Sequence, residues 1–213
     1  MRSEDLVTLL AQDIEPVKKH RLARLLAGAV LMALVGASVL MVVLFGVRPD
    51  LMHAMATLIF WEKLAFPLSL SLGAAMATRQ LSRPAAPVGV AWVLLILPVL
   101  GVWIAGITVV HTAAPADRAA AIFGQSWRVC PFNILMLSVP GFMAIFYAVA
   151  HLAPTRLRSA GAASGLLAGT VATVAYCFHC PEMSPAFWSI WYLLGMLLVA
   201  GAGALVGPRL LRW

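Results

Sequence analysis

Two short stretches hold every thiol in the chain. Tyr176-Cys177-Phe178-His179-Cys180-Pro181-Glu182 gathers two cysteines, an imidazole and a carboxylate, and Trp127-Arg128-Val129-Cys130-Pro131 supplies the third cysteine. Three chemistries suit these residue types. Cys130 and Cys180 can form a structural disulfide, act as a dithiol that cycles with redox conditions, or hold a soft metal ion. His179 and Glu182 flank Cys180 as further candidate ligands, with His53 and His111 expected on the same side. Thiolate with imidazole suits zinc or cadmium. Cys177 and Cys180 also make a C-x-x-C, and Cys177 is a candidate ligand; its position at the end of an apolar run reads first as a small buried residue. Proline favours the first turn of a helix. A cysteine at such a turn faces aligned amide dipoles that favour its thiolate, and the argument is stronger for Cys130 because Pro185 blurs the helix start after Cys180.

The rest of the chain must position these groups inside a membrane. Of 213 residues, 62% are hydrophobic and 11% charged, with a mean hydropathy of +0.95. Soluble domains carry about a quarter charged residues, so a soluble fold is excluded. Six apolar runs are long enough to span: Leu25–Val47, Thr57–Thr78, Val88–Val110, Asn133–Leu152, Ser159–Tyr176 and Ala186–Gly207. Backbone groups in hydrocarbon must bond within their own segment, so these runs are expected to be helices. The first run is too long, and its flank too mixed in charge, for a cleavable signal.

The net charge of +7 is a topology signal and not a nucleic-acid footprint, because the basic residues lie between the runs and not in one patch. Arg2, Lys18, Lys19, Arg21, Arg24, Arg79, Arg83, Arg156, Arg158, Arg209 and Arg212 fall on one side; Arg48, Arg118 and Arg128 fall on the other. The expected fold is therefore an all-α membrane protein, a six-transmembrane-helix bundle with both termini cytoplasmic. Residues 25–213 form the membrane domain, with outer Cys-Pro loops near 111–132 and 177–185, and residues 1–24 form a cytoplasmic leader.

The leader has a pattern of its own. Ser3 is a candidate N-cap, and Leu6, Leu10, Ile14 and Val17 recur at helical spacing with Leu9 beside them, until Pro16 interrupts. Glu4, Asp5, Asp13 and Glu15 make the polar face acidic. Surface anchors on anionic lipid carry the opposite charge, so a basic protein groove fits this short amphipathic helix better.

Within the bundle, Gly161, Gly165 and Gly169, and then Gly203 and Gly207, recur at four-residue spacing, which lets helix backbones approach closely. Pro67, Pro98 and Pro140 are expected to kink their helices. Glu62 and Lys63 lie inside the second run near its outer end. Intramembrane charges are costly and often functional; Lys63 is expected to snorkel outward and Glu62 to find a partner near the outer mouth.

The six runs, the leader with Asp13-x-x-Pro16-Val17, the Trp127-x-x-Cys130-Pro131 stretch and the His179-Cys180-Pro181-Glu182 stretch together resemble the NrsF family, bacterial inner-membrane anti-sigma factors that regulate an extracytoplasmic-function (ECF) sigma factor negatively. The resemblance covers nearly the whole chain. It implies a non-enzymatic protein whose cytoplasmic side holds a sigma factor inactive, with Leu6, Leu9, Leu10 and Ile14 as apolar anchors and Asp5 and Asp13 at their rim. It also implies that Cys130 and Cys180, matching the family's paired periplasmic cysteines, sense heavy metal or oxidative stress; Cys177 has no counterpart in that pattern. No cofactor is obligatory on this reading. The partners are the sigma factor and membrane lipid, with no direct contact to nucleic acid. The competing readings are a membrane thiol-disulfide oxidoreductase using Cys177, Cys180 and Cys130, and a soft-metal transporter. The transporter lacks ionisable residues to line a path beyond Glu62 and Lys63.

Overall fold

In the computed structural model, residues 21–83, 89–152 and 154–212 are described, and these residues are helical or lie in short connections. The leader residues Asp5, Leu6, Leu9, Leu10, Asp13 and Ile14 lie outside the described residues. The helices are α1 (Arg21–Leu44), α2 (Leu51–Met55), α3 (Leu58–Leu81), α4 (Gly89–Thr112), α5 (Arg118–Phe123), α6 (Cys130–Leu137), α7 (Val139–Ala150), α8 (Leu157–Tyr176) and α9 (Pro185–Leu210).

Four of them, α1, α3, α4 and α9, are long and apolar enough to cross a membrane. The count rises to five if α6 and α7, bent by 45°, form one broken span. The fourth apolar run is thus not one helix. It begins earlier than expected, at Cys130, and breaks at Ser138, two residues before Pro140. Proline has no N–H to give and its ring displaces the carbonyl of the preceding turn. Pro67 and Pro98, in contrast, sit within continuous helices.

The helix α8 is not among the apolar spans, and its composition explains why. It is built from Gly, Ala, Ser and Thr, and most of its residues are buried. It packs against α9, α3, α1, α7 and α6. A helix enclosed by other helices needs to be thin, whereas one that faces lipid needs to be greasy. The opposite case is α4, which leans only on α3, α5 and the start of α9 and leaves Val93, Leu97, Leu100 and Ile104 exposed.

The glycine repeats form the seam between α8 and α9. A Cβ at Gly161 would strike the carbonyl oxygen of Gly203, one at Gly165 the carbonyl of Val199, and one at Gly203 the carbonyl of Gly161. Backbone meets backbone there, with no side chain able to yield. Near its N-terminal end α9 contains a π-helical turn, Trp188–Tyr192. Such turns are rare and recur at functional sites; nothing in the sequence pattern announces this one.

Gly165→Ala should destabilise the bundle by about 1–3 kcal/mol, the usual cost of overpacking. Gly28→Ala on α1, where a Cβ meets nothing, should be neutral or slightly stabilising. Thermal unfolding in detergent, followed by circular dichroism, compares the two.

Candidate functional site

The two Cys-Pro stretches meet. Cys130 opens α6, Cys177 caps the end of α8, and Cys180 lies in the connection to α9; all three belong to one core cluster. All three are free thiols and fully buried. The sequence pattern placed Cys130 and Cys180 in outer loops, and the structure corrects their exposure; Cys177 is buried, as its place at the end of an apolar run suggested. The chain turns tightly after α8, with the amides of His179 and Cys180 donating to the Tyr176 carbonyl at 3.0 Å. That turn carries Cys180 back beneath its own loop.

Lys63 completes the cluster. Its side chain does not snorkel: it is 0% exposed, and Nζ donates to the Cys180 carbonyl at 2.6 Å. The Tyr192 ring lies 5.8 Å from Nζ, within cation–π range. Cys177 Sγ makes a weak contact, 3.8 Å, to the Lys63 carbonyl. Glu62, the next residue back, is exposed and lines a groove of about 430 Å³ with Phe66, Leu97, Pro98 and Trp188. It finds no cationic partner among the described residues, whose single ion pair is Arg48–Asp50.

Arg48 is one loop cation among several in the sequence, and only the structure singles it out. Its guanidinium grips Asp50 through two 2.7 Å bonds and also donates to the Cys180 carbonyl at 3.4 Å. Its backbone amide donates to the Phe178 carbonyl at 3.1 Å. His179 Nδ1 lies 2.9 Å from the Gly46 carbonyl. A carbonyl only accepts, so this nitrogen carries the proton. The segment that follows α1 is therefore bonded to the cysteine loop at several points.

Glu182 has a structural task. Its Oε1 accepts from the amides of Gln125 and Ser126 at 2.7 and 3.1 Å and from the Ser126 hydroxyl at 3.2 Å. Gly124, at φ 52°, makes the turn that aims these amides, and any Cβ there would collide with the carboxylate. The Ser126 hydroxyl also sits 4.0 Å from Cys180 Sγ. On the other side Asn133 donates to the Tyr176 hydroxyl at 3.3 Å.

The candidate metal ligands are only partly brought together. Cys130, Cys177 and Cys180 share the cluster, but His179 and Glu182 are engaged elsewhere, and His111 lines a separate groove beside Trp103 and Ile190. His53 is on the short helix α2. Among the described residues no three His, Cys, Asp or Glu side chains stand together as a metal site. The arrangement is a water-poor pocket in which three thiols share one core cluster with the buried Lys63 side chain.

Two tests follow from the polar contacts. Glu182→Ala should cost about 1.5–3 kcal/mol, the usual value of hydrogen bonds to a charged group, and should free the segment around Ser126 for amide exchange. Asp50 gives a pH signature. The hydrogen-bonded Arg48 guanidinium holds its carboxyl down, from the ordinary 3.8 to about 2. A carboxyl lowered in the folded state stabilises above its unfolded value, and that stability fades as pH falls through the folded one. The difference in melting temperature between the protein and Asp50→Asn should hold above pH ~5 and close between pH ~4 and ~2.

Comparison with known proteins gives the family. The sequence profile of "NrsF: Negative regulator of sigma F" matches residues 10–213. The chain is 45% identical over 214 residues to the "Probable anti-sigma-F factor NrsF" of Azospira oryzae, and 36% identical over 220 residues to the "Anti-sigma-F factor NrsF" of Caulobacter vibrioides, in each case across all of both chains. No solved structure matches. A buried thiol cluster at one end of an apolar helical bundle, carried on a sequence that aligns with these regulators from end to end, makes this chain a member of the NrsF family of anti-sigma factors, regulatory proteins and not enzymes.

Proposed function

We propose that this protein is an anti-sigma factor embedded in the bacterial inner membrane, which sequesters an ECF sigma factor at its cytoplasmic face and releases it when a periplasmic cysteine site senses heavy metal or oxidative stress. The observation that carries the reading is the convergence of Cys130, Cys177 and Cys180, distant in sequence, in one buried cluster. Family membership supports the sigma-factor partner, and the charge bias of the loops supports six spans with both termini cytoplasmic. On that topology the cluster faces the periplasm, where thiols meet oxidants.

Both signals act on the same sulfurs. Oxidation joins two thiols in a disulfide, and two protons and two electrons leave to the oxidant. A soft cation such as zinc or cadmium takes the sulfurs as thiolates. Either event repacks a site that holds the segment after α1 through Gly46 and Arg48. The other end of α1 begins at Arg21, beside the leader of residues 1–24. Leu6, Leu9, Leu10 and Ile14, rimmed by Asp5 and Asp13, make the leader an acidic amphipathic ligand for the basic surface of a sigma factor. For a signal to pass, the modified site must favour one of two arrangements of the bundle.

Purification of the full-length protein in mild detergent should recover one sigma factor, and a variant lacking residues 2–17 should lose it. Recovery with both chains would move the contact to the cytoplasmic loops. Cys130→Ser and Cys180→Ser should each flatten the transcriptional response to cadmium or chromate; an unchanged dose response in both would remove the sensor from the account.

A further inference from the structure

We propose that the groove between α1 and α3 binds one anionic phospholipid, with an acyl chain lying in the groove and the phosphate held by Arg79 and Arg83. The inference rests on the membrane topology proposed above, which puts this end of the bundle in the cytoplasmic leaflet. The groove lies toward the opposite end from the thiol cluster and uses none of its residues.

The groove exists because two neighbouring helices do not close on each other. Helix α1 packs along α7 and α8, and α3 packs along α8 and α4, but α1 and α3 barely touch. The space between them measures about 450 Å³, within the roughly 300–1,000 Å³ of small-molecule sites. Leu26 and Val30 on α1 form one wall, Leu72 and Met76 on α3 the other, and Leu167 on α8 the floor. From Leu72 to Arg79 the α3 wall runs about 10 Å at the helical rise. Along that length Arg79 is the one polar residue in the lining. An aliphatic trough that ends in a guanidinium has the polarity of a phospholipid, chain then headgroup.

Charge selects the headgroup. Arg83 follows Arg79 by one helical turn on the same face, and both are exposed. Neither is in an ion pair among the described residues. The acidic residues among these are Asp50, Glu62, Asp117 and Glu182, which lie toward the thiol end. A guanidinium meets a phosphate with two parallel N–H bonds, and basic pockets between membrane helices on the cytoplasmic side take anionic headgroups. A second copy of the chain, lying parallel, would bring its own cations to the same level. The acidic leader is the ligand of the sigma factor in the function proposed above, which leaves lipid phosphate as the anion for Arg79.

Native mass spectrometry of the full-length protein in micelles, titrated with phosphatidylglycerol or phosphatidylcholine, counts bound lipid and copies of the chain together. One phosphatidylglycerol should be retained per chain, more tightly than phosphatidylcholine, whose headgroup carries its own ammonium. Arg79→Gln should weaken phosphatidylglycerol about tenfold or more, the value of a hydrogen bond to a charged group. Ala27→Phe, which fills the groove and leaves its charge in place, should weaken both lipids. Arg209→Gln removes the same charge from α9, which packs chiefly on α8, and should change nothing. Equal retention of the two lipids, unchanged retention in Arg79→Gln, or an equal loss in Arg209→Gln overturns the proposal. So does a dimer that Ala27→Phe dissociates, which gives the groove to a second copy, or lipid retained only when residues 2–17 are removed, which gives it to the leader. Should Ala27→Phe not fold, the lipid comparison and Arg79→Gln, at an exposed position, still decide. A chain that recovers its sigma factor but retains no phosphatidylglycerol loses only this site; one that retains the lipid and recovers no sigma factor loses only the proposed function.

Discussion

The backbone contact between α8 and α9 is the constraint on which the site depends. Gly161, Gly165 and Gly203 let the two helices touch carbonyl to Cα along much of their length. Only at that separation do Tyr176 and Cys177, at the end of α8, come level with Tyr192 on α9, the two tyrosine rings 5.9 Å apart. The short connection between the helices then has no room to spread outward, and Cys180 is folded inward. Bulk at the seam would move every group in the cluster at once.

Charge burial is the second organising feature. Two cations from different parts of the chain, Lys63 on α3 and Arg48 after α1, donate to one carbonyl, that of Cys180. A carbonyl carries only a partial charge, so it satisfies hydrogen bonds without neutralising either cation. Arg48 is neutralised by Asp50, which is half exposed and in contact with water. Lys63 is not. The site is thus polar and enclosed, with a carboxylate beside Arg48 and none in contact with Lys63 among the described residues.

The same contacts give the site a mechanical connection. The cysteine loop is hydrogen-bonded to Gly46 and Arg48, and these residues continue directly from α1. From there α1 runs back along α7 and α8 to Arg21. One helix therefore joins the thiol cluster at one end of the bundle to the segment that precedes residue 21 at the other. Glu182 clamps the opposite flank through Gln125 and Ser126.

The sequence by itself determined the helices and singled out the residues able to do chemistry. Apolar runs of spanning length admit only helices, and the four-residue glycine spacing marked the α8–α9 seam because that periodicity has one common structural use. The scarcity of thiols and intramembrane charges made Cys130, Cys177, Cys180 and Lys63 visible as residues worth following. What tertiary structure alone decided is where those groups point. Lys63 turns inward because α3 packs against α8 and the cysteine loop, where a carbonyl awaits it, and no local pattern encodes a partner more than a hundred residues away. The same holds for Arg48, which in sequence is one more loop cation. Glu182 reads as a free ligand until the Gly124 turn presents it with amides. The π-helical turn and the break at Ser138 are likewise settlements between packing and local preference, so the thiols are legible in the sequence and their burial beside Lys63 is not.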